Sequence, residues 1–96
     1  IRLAIHANAM AERLIQGIQL KTQIEIAWPC ESNELFVTMP TQLAEQLEQA
    51  GAKFYPWPIP NWFNHEMKSG EGLYRLVTSF ATSEADVDQF LDLLPK

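Results

Sequence analysis

The stretch Leu73-Tyr74-Arg75-Leu76-Val77-Thr78-Ser79-Phe80 runs directly into Ala81-Thr82-Ser83-Glu84-Ala85-Asp86, and the fold follows from that junction. Residues 73–80 are mostly aromatic, β-branched or long aliphatic, which suits a pleated surface and predicts a strand. Ser83 and Asp86 stand three residues apart just before an apolar-periodic run, a capping-box pattern that starts a helix. Glu84, Asp86 and Asp88 place negative charge at the positive end of that helix's dipole. Val87, Phe90, Leu91 and Leu94 form its buried stripe, and Pro95 follows its end.

Upstream, Lys53–Trp57 reads as a short strand. Pro56, Pro58 and Pro60 forbid regular pairing, so residues 58–72 read as a loop ending in Ser69-Gly70-Glu71-Gly72. Pro40 and Thr41 open a helix with Thr41 as its cap, Leu43, Leu47 and Ala50 as its apolar stripe, and Gly51 as its stop. Leu35–Met39 is a strand. In Ile24–Trp28, alternation points Ile24, Ile26 and Trp28 one way and Glu25 and Ala27 the other. The short turn at 29–33 predicts that these two strands form an antiparallel hairpin. Ile1–Leu20 reads as a helix, with Leu3, Ala7, Met10, Leu14 and Ile18 on one stripe and Arg2, His6, Arg13 and Gln16 on another. The order is α-β-β-α-β-β-α. It predicts one α+β two-layer sandwich over residues 1–96, a small, mostly antiparallel sheet with helices on one face.

Composition narrows the function. With 96 residues and a 47% hydrophobic fraction, the chain can bury one core. A net charge of -5 argues against binding a nucleic-acid backbone, which needs clustered Lys and Arg. No apolar run approaches the roughly 20 residues of a membrane span, and no secretory leader is visible. The single cysteine, Cys30, excludes an intramolecular disulfide framework, and no cation or helix start adjoins it to make a reactive thiol. His6 and His65 lie in different elements and fall short of the three or four groups that hold a metal, so no metal is expected. The chain opens on Ile1 rather than Met, inside a helix with no cap before it, and so reads as an excerpt of something longer.

Two features invite a functional reading. Trp57, Trp62 and Phe63 alternate with prolines and small residues; they either anchor the loop or form a binding or interdomain surface, and an apolar loop this rich needs a cover, which favours the surface. Arg75 sits inside an apolar strand, sharing a face with Leu73, Val77 and Ser79. A half-buried guanidinium must be paired, and its planar fork suits a carboxylate. From the pattern alone Arg75 is a structural ion-pair partner, an exposed edge arginine, or a ligand site.

The run from Arg75 through Asp88 (RLVTSFATSEADVD) is similar to the C-terminal signature of bacterial low-specificity threonine aldolases. Three further segments agree in order: His6-Ala7-Asn8-Ala9-Met10-Ala11, Asn33-Glu34-Leu35-Phe36-Val37 and Phe54-Tyr55-Pro56-Trp57. The resemblance covers nearly the whole chain; its strand-to-helix signature is the more specific part. It implies the C-terminal small domain of a fold-type-I pyridoxal-phosphate enzyme, whose large domain carries the cofactor and its lysine. It further implies cleavage of β-hydroxy-α-amino acids such as threonine and allo-threonine to glycine and an aldehyde. A cytoplasmic homotetramer with active sites near subunit contacts goes with it. The family's arginine that holds the substrate carboxylate falls on Arg75. Lys21, Lys53, Lys68 and Lys96 lie outside the family's cofactor-lysine context, so the fragment is expected to bind no cofactor and to be inactive alone. The loop 58–72 is longer than the family pattern. Two alternatives remain open: a free-standing interaction or ligand-sensing domain, and the small domain of another fold-type-I lyase, such as a β-eliminating one.

Overall fold

The computed structural model describes residues 2–28, 34–63, 67–77 and 82–95, with the side chains of residues 2–4 left aside. The elements in chain order are α1 (Arg2–Ile18), β1 (Glu25–Trp28), β2 (Glu34–Pro40), α2 (Thr41–Gln49), β3 (Tyr55–Pro56), β4 (Glu71–Val77) and α3 (Glu84–Leu93). This is the predicted α-β-β-α-β-β-α order. The sheet runs β1-β2-β4-β3 with every neighbouring pair antiparallel. β4 therefore inserts beside β2, and the later hairpin contributes an outer edge. Such a strand order follows from long-range pairing that local patterns do not encode.

The helical side of the sheet carries the main core. Leu35, Val37 and Met39 are fully buried on β2, beside Tyr74 and Leu76 of β4. Met10, Ala11, Leu14 and Ile18 of α1, Leu43, Ala44 and Leu47 of α2 and Val87 of α3 pack onto them. A 3.6-residue period brings these helix positions onto one face, and a period of two does the same for the strands. Close helix packing shows at Gly17, where an added Cβ would stand 2.3 Å from Leu91 Cδ1.

α3 begins as predicted. Ser83 Oγ accepts from the Asp86 N–H at 3.0 Å, and Asp86 Oδ2 accepts from the Ser83 N–H at 2.9 Å. α2 begins otherwise. Its N-cap is Pro40, and Thr41, the first helical residue, sends both its N–H and its hydroxyl to the Gly70 carbonyl, at 2.7 and 3.1 Å. Thr41 thus ties the helix to the turn before β4 rather than capping it. Gly70 holds φ 78° there, a left-handed conformation that costs glycine little. Ala50 is exposed and lies past the last helical residue, so the buried stripe of α2 is Leu43, Ala44 and Leu47.

β1 departs from simple alternation. Ile26 pairs with Val37, yet Trp28 pairs with Phe36, so β1 spends one more residue than β2 over this step. Ala27 is the extra residue of a β-bulge, which turns Trp28 away from the face of Ile26. The strand at 53–57 shortens to Tyr55–Pro56 on the sheet edge, where proline's missing N–H is tolerated. The Trp57 N–H still reaches the Leu73 carbonyl at 2.9 Å. Cys30, the 29–33 turn, His65, Lys96 and the 78–80 end of the predicted fourth strand lie outside the described residues.

Candidate functional site

The face of the sheet opposite the helices carries Phe36 and Thr38 of β2, Leu73 and Arg75 of β4 and, through the bulge, Trp28 of β1. Its aromatic part is extended by rings from the loop. Trp28 stacks on Phe36 with ring centroids 4.5 Å apart. Trp62 and Phe63 set their edges against Trp28 at 4.9 and 5.3 Å, and Trp57 meets Phe36 at 5.4 Å. The proline-rich loop is thereby laid over the sheet, the anchoring role weighed for these rings. Leu73, 3% exposed, lies on the same face. The cover is incomplete: Trp62 is 63% exposed and Tyr55 57%. A partly wet aromatic surface persists around the strand that bears Arg75.

Arg75 sits at the middle of β4, opposite Phe36 on one side and Tyr55 on the other. Its Nη2 donates to Glu34 Oε1 at the start of β2. Its Cζ lies 5.4 Å from the Trp57 ring centroid, within reach of a cation–π attraction. Nε is buried and has no hydrogen-bond partner among the described residues. The side chains of Arg75 and Glu34 are 31% and 39% exposed, so the pair is reachable from solvent. A guanidinium offers five N–H donors and grips a carboxylate best through two parallel bonds. Glu34 uses one of them. Arg75 is thus a positive group on an aromatic floor, with unused donor capacity.

Sequence reasoning singled out Arg75 and missed Glu34 as its partner. Parity alone puts Glu34 and Phe36 on one face of β2. Placing Glu34 diagonally across from Arg75 needs the β2–β4 register, and that register is a tertiary fact.

The other polar groups serve the fold. His6 Nε2 meets the Thr82 carbonyl, joining α1 to the segment before α3. The Arg13 guanidinium holds the Asp88 carboxyl below its ordinary range, chiefly through their hydrogen bond. Burial, then the charges of Glu48 and Glu45, pushes the Tyr74 phenol up, which keeps it protonated. A cavity of about 360 Å³ lies on the helical side, lined in part by Leu14, Leu76, Val87 and Phe90. Its charged lining residues are Lys53 and Asp86, and Asp86 is already engaged in the α3 cap. No group of three or more metal-binding side chains occurs among the described residues, and no helix among them is long and apolar enough to cross a membrane.

A pyridoxal-phosphate site needs a lysine amine beside a phosphate cradle. Lys53 and Lys68 are exposed and Lys21 is half-buried, each in a separate connecting segment. The first turn of α3 carries Glu84 and Asp86, which repel phosphate, and the first N–H of α2 is already given to Gly70. The described residues do not fit as the holder of that cofactor.

No protein-family model matches the sequence, and no curated protein matches it. Solved structures do. A threonine aldolase from Leishmania major is 30% identical over 92% of this chain, with a TM-score of 0.74. A NifS-like protein is 22% identical over 93%, with a TM-score of 0.76, and an aminotransferase from Streptoalloteichus hindustanus is 18% identical over 96%, with a TM-score of 0.67. The chain spans 23%, 26% and 31% of the lengths of these three, about a quarter of each.

Proposed function

We propose that this chain, which has the fold of the C-terminal small domain of pyridoxal-phosphate enzymes of fold type I, serves a parent lyase that cleaves β-hydroxy-α-amino acids to glycine and an aldehyde. The observation that carries the reading is the pairing of two facts. The chain aligns over 92% of its length with a threonine aldolase at 30% identity, and it presents a half-exposed guanidinium, Arg75, on its open sheet face.

In this reading Arg75 holds the substrate's α-carboxylate. Two parallel N–H bonds fix the plane of that carboxylate and so the rotation about the adjoining carbon–carbon bond. The breaking bond must stand perpendicular to the conjugated ring of the cofactor, and one fixed carboxylate sets that angle. Bound elsewhere in the parent, pyridoxal phosphate supplies the electron sink for the cleaved bond. Trp57 covers one side of the guanidinium and limits water there, which strengthens its grip. The partly covered aromatic face is the side that the large domain or a sister subunit of a homo-oligomer would close. A cytoplasmic enzyme of amino-acid metabolism fits this reading.

The test is aldehyde release from threonine by the intact parent, wild type beside Arg75→Leu. Loss of most of kcat/KM in the variant is expected. Equal cleavage by both proteins returns Arg75 to a structural role. If wild type forms no aldehyde, the parent belongs with other fold-type-I lyases, and product analysis of β-elimination substrates comes next. The isolated 96-residue chain is expected to fold, to show no cofactor absorbance and to release no aldehyde.

A further inference from the structure

Arg75 already holds a carboxylate in this structure, and that carboxylate belongs to the chain. Glu34 Oε1 accepts from Nη2, and Glu34 is the hydrogen-bond partner of the guanidinium among the described residues. Nε is buried and cannot meet an arriving ligand. A carboxylate gripped by two parallel bonds must therefore use Nη1 together with Nη2, the nitrogen that already donates to Glu34. Two carboxylates on one guanidinium repel each other, so each weakens the hold on the other.

We propose that Glu34 is a built-in competitor for the carboxylate site of Arg75, so that it sets the apparent affinity for amino-acid substrates; this rests on Arg75 being their carboxylate anchor. A tethered carboxylate acts at a high effective concentration, far above that of small anions in solution. Simple carboxylates and inorganic anions are then held off. A substrate that is also fastened through its amino group overcomes the competition, because its carboxylate too arrives as a tethered group. The aromatic surroundings sharpen the choice. Trp57 offers the guanidinium a ring and no carboxylate, and neither Phe36 nor Tyr55, the strand neighbours of Arg75, carries one, so among the described residues the contest at Arg75 is between Glu34 and the ligand. Glu34 is a specificity-setting residue here rather than a catalytic one.

The test uses the intact parent with threonine as substrate and acetate as the probe carboxylate. Glu34→Gln keeps the side-chain shape and removes the charge. It is expected to lower KM and the inhibition constant for acetate together, by about threefold to tenfold, with kcat within about twofold of wild type. Glu34→Asp, which keeps the charge on a shorter arm, is expected to fall between the two and decides the matter if the Gln variant does not fold. A raised KM or a much lower kcat in Glu34→Gln means that Glu34 props Arg75 in place, and it overturns the competitor role. In that case Arg75→Leu still loses activity and the anchor reading stands. Unchanged kinetics in Arg75→Leu would instead remove the anchor reading, and the competitor with it. An independent readout uses the 96-residue chain: acetate titration followed by the Arg75 Nε–H resonance, with tighter saturation expected in Glu34→Gln and equal saturation overturning the proposal.

Discussion

Arg13 on α1 and Asp88 on α3 face each other through two parallel bonds, Nε to Oδ1 and Nη2 to Oδ2, both at 2.9 Å. They lie 75 positions apart in the chain and clasp its first and last helices. The hydrogen bond from Arg13, assisted by its charge, depresses the Asp88 carboxyl; the same contact raises Arg13, which stays charged. A carboxyl depressed by folding adds stability that is present above its unfolded value, about 4, and is lost as pH falls through the folded value. Wild type should therefore exceed Asp88→Asn in stability at pH 6, and the gap should close on acidification toward pH 3. Urea unfolding of both proteins at the two pH values reads this. The side chains are 42% and 48% exposed, so added salt should also narrow the gap.

The start of α3 rests on the reciprocal bonds between Ser83 and Asp86. Ser83→Ala removes the acceptor for the Asp86 N–H and should cost about 1 kcal/mol, while Ser83→Thr should be close to neutral. Equilibrium unfolding of the two variants separates a cap from a general effect of size.

Gly17 makes room for Leu91. Alanine there would put a methyl carbon 2.3 Å from Leu91 Cδ1, so the leucine must leave its place between α1 and α3. Gly17→Ala should destabilise by about 1–3 kcal/mol, as overpacking does. In a Leu91→Ala background the same change should stabilise instead, because helix propensity favours Ala over Gly by about 1 kcal/mol. A sign reversal in this double-mutant cycle is the signature; two destabilising effects in both backgrounds would refute the close contact.

Trp28 is the hub of the aromatic face and Trp62 its rim. Trp28→Ala should cost about 2–4 kcal/mol and remove most of the near-ultraviolet circular dichroism from the coupled rings. Trp62→Ala, at a side chain 63% exposed, should cost less than about 1 kcal/mol. Equal costs would mean that the loop is held by something other than these ring contacts.

The two-layer architecture was legible because each helix bears its stripe at its own period and the strongest strand runs into a well-marked cap. The places where the pattern misled share one cause: they depend on a partner strand or turn. Trp28 changes face because the register with Phe36 absorbs an extra residue. Thr41 has the chemistry of a cap, but Gly70 lies closer to hand. Glu34 could be read only as one of 12 acidic residues until the sheet placed it against Arg75. The role of Arg75 came from the run of residues around it, which no argument from periodicity could supply.

Removing Ala27 would regularise the ladder, leaving Ile26 opposite Val37 and Trp28 opposite Phe36, with both side chains on their present faces. A relative one residue shorter at this point keeps the same tryptophan over the same phenylalanine. A single gap placed at position 27 is therefore silent in three dimensions, whereas a gap placed one strand later, between Phe36 and Val37, would exchange inside for outside along half of β2.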